Sequence, residues 1–179
     1  MRLAWVTDPH LNFVPPVRLQ SFRDQLLAVN CPILITGDLS DAPNLNHALR
    51  TLDTLHHPVY FVLGNHDFYH SSIAQVRAAV AQISDTSEHL RWLPRTGVVE
   101  LTPDTALVGV DGWADARFGN WRDTTVVLND FYIIEELAHL DQHRRTERLR
   151  SLSDREASAL RPLLEIGRAS CRERVYVLV

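Results

Sequence analysis

The chain has 179 residues, 45% hydrophobic and 22% charged, with a formal net charge of −4. This is long enough for one domain with a buried core and excludes a disordered or membrane-embedded class. The slightly acidic balance argues against a broad nucleic-acid-binding face while leaving a local basic groove open, and only Cys31 and Cys171 occur, so no disulfide framework is expected.

Taken in chain order, Leu3-Ala4-Trp5-Val6 is an apolar run too short for a signal peptide, and polar Thr7-Asp8-Pro9-His10 follows it. Residues 18–29 carry Leu19, Phe22, Leu26, Leu27 and Val29 at helical spacing. Pro32 to Thr36 reads as a second strand ended by Gly37-Asp38. Residues 43–57 read as a second helix, and Val59 to Leu63 as a third strand ended by Gly64-Asn65. Continuous apolar runs of this kind suit strands covered on both faces in a mostly parallel sheet. Residues 72–83 predict a helix. A β-rich stretch follows over Leu90–Leu93, Gly97–Leu101 and Ala106–Val110, then a loop over Asp111–Asp130, then charged helix over Phe131–Leu164. No repeat or low-complexity linker interrupts the chain, so a single domain over 1–179 is expected. No apolar run approaches the roughly 20 residues that span a bilayer, and the expected location is the cytoplasm.

Three polar clusters follow the first three strands: Asp8-Pro9-His10, Gly37-Asp38-Leu39-Ser40-Asp41 and Gly64-Asn65-His66-Asp67. Ligands of open α/β sheets gather outside the carboxyl ends of strands, so folding should bring these clusters to one edge. Carboxylates, imidazoles and an amide oxygen make a mixed O/N donor set suited to Mn, Fe or Zn rather than Ca. A central carboxylate such as Asp38 can bridge two cations. Singly, each residue has a plainer explanation: Asp8 before Pro9 as a turn, Asp38 and Asp41 as helix caps, Asn65 after Gly64 as turn chemistry. Three such clusters after three successive strands are hard to explain as separate accidents.

The Asp-x-His, Gly-Asp and Gly-Asn-His-Asp clusters, in this order, resemble the calcineurin-like metallophosphoesterase superfamily, in a bacterial subgroup. The resemblance implies a four-layer α-β-β-α sandwich and a phosphomonoesterase or phosphodiesterase that uses a dinuclear centre and metal-activated water. It implies that Asp8 and His10 hold one metal ion, Asp38 bridges, and Asn65 holds the second. His66 would protonate the leaving oxygen, oriented by Asp67. The substrate would be a small phosphoester or nucleotide, with nucleic acid and oligomeric state left open. Arg117, in the stretch Val110–Gly119, is a candidate bidentate phosphate contact, and Trp113 either stacks on a base or packs in the core. An equally good reading is a loop pinned by a buried Trp113 and an Asp115–Arg117 interaction. His70 either lines the site or belongs to the helix start at Ser71-Ser72.

The superfamily also has later histidines, including a Gly-His-x-His, and this sequence contains no Gly-His pair. His139 and His143, four apart, would share a helix face, although their charged surroundings suit a solvated helix better. Val175–Val179 resembles the strand that leads to the first later histidine, so the domain is expected to be incomplete at its C-terminus, to bind metal weakly and to be nearly inactive. Residues 165–175 resemble the conceptual translation of a sequencing adapter, and on that reading Cys171 carries no meaning. Two other functions fit the clusters: a non-catalytic binding module that keeps the fold, and a hydrolase using Asp8 as nucleophile.

Overall fold

The computed structural model describes residues 1–170 and 174–178; Cys171, Arg172, Glu173 and Val179 lie outside them, and with them part of the adapter-like segment. Four parallel strands, β1 (Ala4–Val6), β2 (Ile33–Thr36), β3 (Val59–Val62) and β4 (Leu90–Trp92), form the first sheet in sequence order. Helices α1 (Pro16–Val29), α2 (Ala42–Asp53) and α3 (Ile73–Thr86) connect them. Parallel crossovers are right-handed, so strands added in one direction put all their helices on the same face. That leaves the opposite face free for a second sheet.

The period-2 alternation of the strands divides the core accordingly. Ile33, Ile35, Val59 and Phe61 are fully buried against the helix side, with Leu49 of α2 and Val80 of α3 in the same cluster. Leu34 and Val62 point the other way and pack with Leu107 of the second sheet. Each fully buried side chain of this size contributes roughly 1.5–3 kcal/mol relative to exposure. After the one-turn helix α4 (Leu93–Thr96), the second sheet has β5 (Val99–Thr102) antiparallel to β6 (Thr105–Gly109), and β7 (Arg174–Leu178) parallel to β6. Between β6 and β7 lie α5 (Asp130–Ile133) and the long α6 (Gln142–Ser170), which packs against the second sheet. Two facing sheets with helices outside them are the four-layer arrangement the resemblance implied.

Three local expectations change. The β-rich stretch is divided between sheets: Leu90–Trp92 pairs with β3, whereas β5 and β6 belong to the second sheet. The chain reverses between them through α4 and Gly97, whose φ of 81° only glycine adopts readily. The helix expected over 131–164 is two helices with an irregular segment between. Asp141 Oδ1 accepts the Arg144 N–H at 2.8 Å and starts α6, so His139, at φ 60°, precedes the helix and does not share a face with His143. Finally, β1 is an edge strand and Trp5 is 70% exposed, so coverage on both faces holds for β2 and β3 but not for β1. Among the described residues no helix is long and apolar enough to cross a membrane.

Candidate metal centre

The loops leaving β1, β2 and β3 meet at one sheet edge and are joined by backbone bonds. His10 N–H donates to Asp38 O at 3.0 Å and Leu11 N–H to Leu39 O at 2.8 Å, which ties the first cluster to the second. The third is tied in by two carboxylates: Asp38 Oδ1 accepts the His66 N–H at 3.1 Å, and Asp67 accepts Ser40 N–H and Gly64 N–H, both at 2.9 Å. Glycine permits this approach, since a Cβ on Gly64 would overlap Asp38 Oδ1 and one on Gly37 would stand 2.9 Å from Gly64 N. Asp8, His10 and Asp38 all take left-handed backbone conformations, at φ 48°, 42° and 52°. Non-glycine residues held this way carry strain that the surrounding bonds sustain, a pattern concentrated at functional sites.

His10, Asp38 and His66 each place one ligand atom within 4.8 Å of the others. His10 Nε2 lies 3.8 Å from Asp38 Oδ2, and the two imidazoles meet edge to face at 4.6 Å. Burial pushes the Asp38 carboxyl above its ordinary value; the His66 N–H and the two imidazoles partly offset this, and Asp8 adds to it. A cation at this point would favour the charged carboxylate that burial disfavours. His10 Nδ1 is buried with no hydrogen-bond partner among the described residues. The donor set and its spacing fit a divalent transition-metal ion.

The other expected site residues fall as follows. Asp8 is exposed, accepts a hydrogen bond from the Thr7 hydroxyl, and lies near enough for its charge to act on Asp38. Asn65 uses its amide nitrogen, donating to Asp130 Oδ1 at 2.8 Å and to the Tyr69 hydroxyl at 3.2 Å. Asp67 is fully buried, and both its oxygens are engaged by the backbone of the second and third loops, so it holds these loops together and does not hydrogen-bond the His66 ring. Burial raises its carboxyl well above the ordinary value, with the two N–H donors opposing. Asp41 takes the N-cap position of α2, as its plainer explanation had it. His70 is exposed and its N–H donates to Ile133 O, while Ser72 caps α3 by accepting the Gln75 N–H.

Arg117 bonds Asp115 through its backbone N–H and guanidinium, and forks onto both oxygens of Asp154 at 2.8 and 2.9 Å. Trp113 is half-buried and packs on Phe68 with ring centroids 5.4 Å apart, against the main core. Of the plainer reading, the Asp115–Arg117 interaction is present, whereas Trp113 is half-buried at the edge of the core. A cavity of about 600 Å³ opens beside Asn65, with Trp113, Phe118, Trp121 and Leu128 among its walls.

Two features near the edge carried no sequence signal. Asp111, just after β6, is wholly buried, accepting the Leu63 N–H at 2.8 Å and the Trp92 indole at 3.0 Å. Arg77 Nη2 lies 3.2 Å from its Oδ2 without hydrogen-bond geometry and bonds Glu156 at 2.7 Å. Burial raises Asp111 to about 6, with Arg77 opposing. The second feature is Asp130, which receives Asn65 and also the Tyr69 hydroxyl, at 2.6 Å.

The family model of calcineurin-like phosphoesterases matches residues 1–169. No curated protein matches the sequence. Among solved structures the chain is similar to a phosphopantetheinyl hydrolase from Mycobacterium tuberculosis, with a TM-score of 0.63 and 12% identity, covering 98% of this chain and 66% of that one.

Proposed function

The chain belongs to the calcineurin-like phosphoesterase family, and on that premise we propose that the protein is a metal-dependent phosphoester hydrolase. The observation that carries this reading is the convergence of His10, Asp38 and His66 at the ends of consecutive strands, with ligand atoms within 4.8 Å of one another. In the finer form of the proposal, Asp8, His10, Asp38 and Asn65 are the residues that would hold two divalent ions (Mn, Fe or Zn). Such ions supply Lewis-acid stabilisation of a phosphoryl group and activation of water. His66 is the proton donor to the leaving oxygen, and Asp67 keeps the His66 loop in register with the Asp38 loop. Support for His66 comes from its ring lying against both His10 and Tyr69, at 4.6 and 4.2 Å.

The substrate class is a small phosphoester or a nucleotide. The cavity beside Asn65 suits an apolar or aromatic organic portion, with its aromatic walls and few polar groups. Arg117 is the candidate phosphate contact, and it would have to exchange Asp154 for the substrate. The test is turnover of bis-p-nitrophenyl phosphate and p-nitrophenyl phosphate with Mn²⁺. Turnover, however slow, should vanish with EDTA, return with Mn²⁺, and be absent in Asp38→Asn. Metal-independent turnover, or no Mn²⁺ uptake in calorimetry, would sink the reading.

A further inference from the structure

Asn65 is a ligand only if its oxygen, rather than its nitrogen, faces the metal, and nothing in the Gly-Asn-His-Asp cluster itself decides this. The donors and acceptors around it do. An ionised carboxylate only accepts, and a phenol has a single hydrogen to give. Tyr69 therefore spends that hydrogen on Asp130 Oδ1, at 2.6 Å, and its lone pair takes one hydrogen of Asn65 Nδ2, at 3.2 Å. The second Nδ2 hydrogen goes to Asp130 Oδ1 at 2.8 Å. Both amide hydrogens are then used, and among the described residues Oδ1 has no hydrogen-bond donor.

Asp130 is itself held firmly, although it lies 65 positions from Asn65 in the chain. It opens α5, whose Ile133 O accepts the His70 N–H at 2.8 Å, and beyond α5 Glu135 N–H donates to Ser71 O at 3.1 Å. Glu136 accepts the Ile73 N–H at 2.8 Å at the start of α3. Phe131 and Ile134 are buried in the core, and the Arg145 guanidinium lies 4.4 Å over the Phe131 ring. The segment after residue 129 is thus clamped along the chain that follows the third cluster.

We propose that Asp130, together with Tyr69, is the positioning pair that turns the Asn65 amide so that its oxygen is presented to the metal. This rests on the metallophosphoesterase reading above. Groups that orient a ligand from behind are commonly worth about 10–100-fold in metal affinity.

The test is Mn²⁺ titration by calorimetry of the 179-residue protein and its Asn65→Ala, Asp130→Ala, Asp130→Asn and Asn65→Ala/Asp130→Ala variants. Asp130→Ala should weaken Mn²⁺ binding by about 10–100-fold, and Asp130→Asn, which keeps an acceptor oxygen, should fall between it and the parent. The double variant should bind no more weakly than Asn65→Ala, since a residue acting through Asn65 has nothing left to orient. Parent-like affinity in Asp130→Ala, or losses that multiply in the double variant, would overturn the proposal while leaving the metal reading intact. A parent that takes up no Mn²⁺, or that binds it equally well without Asn65, removes the premise and the proposal with it. Should Asp130→Ala lose its fold by circular dichroism, Asp130→Asn decides alone: weakened binding supports the proposal and parent-like binding overturns it.

Discussion

The edge formed by β1–β3 and the segment from residue 111 to 141 build the same site in opposite ways. At the edge, the side chains that follow the buried strands β2 and β3 are fixed by bonds to the backbone of neighbouring loops, as with Asp38 and Asp67. The later segment is mostly exposed from Arg117 to Asn129 and contributes through isolated contacts: Trp113 against the core, Arg117 on Asp154, Asp130 on Asn65. A rigid scaffold thus carries the ligand atoms, while a surface segment supplies the groups that surround them, the usual division between strands and loops.

The largest effect should come from Asp38→Ala. Its carboxylate, in the middle cluster, lies against His10 of the first and accepts the His66 N–H of the third, and its loss should weaken Mn²⁺ uptake in calorimetry by more than about 100-fold, beyond what an orienting residue is worth. A smaller loss would mean that the edge is less dependent on this centre than its geometry suggests. Asp67→Ala tests the scaffold itself. It leaves the buried Ser40 N–H and the part-buried Gly64 N–H without their acceptor, and urea denaturation should show a loss of about 3 kcal/mol, since an unmet buried donor costs roughly 1–3.

Asp111 joins the two regions, and its pH dependence has a definite sign. The folded protein holds the Asp111 proton up to about pH 6, whereas the unfolded chain releases it near 3.8. Its contribution to stability is therefore whole below 3.8 and is lost as the pH rises through 6, a fall on the order of 3 kcal/mol at about 1.4 kcal/mol per pH unit. Asp111→Asn should keep the Leu63 and Trp92 bonds and remove that part of the slope, so stability curves of parent and variant at pH 4 and 7 should diverge. Parallel curves would mean that Arg77 keeps Asp111 ionised throughout. The smallest effect is expected for Arg117→Ala. Both of its ion pairs are solvent-exposed, so the melting temperature should stay unchanged; a clear drop would make the exposed segment a structural element after all.

Legibility in the sequence followed the range of the interactions. The strands ending at Thr36 and Val62, and the polar clusters beyond them, are written in adjacent residues, because a buried strand needs an apolar run and an open sheet gathers its ligands where that run stops. The role of Asp67 was not legible: the spacing places it beside His66 in the chain, yet its oxygens turn toward Ser40 and Gly64, which only the approach of two loops brings within reach. The separation of β4 from β5 and β6 was hidden for a similar reason, since an apolar run carries no mark of which sheet it will join.

Left to itself, the sequence determined the chemistry: which residue types stand at the ends of which strands, and hence the family and its donor set. Tertiary structure alone decided orientation, which depends on partners distant in the chain. The Asn65 amide nitrogen is held by Asp130 and Tyr69, and Asp111 acquires its raised pKa only where β6, α3 and α6 enclose it. Hydrogen-bond direction and dielectric burial exist only once separate segments have come together, and neither can be encoded in neighbouring residues.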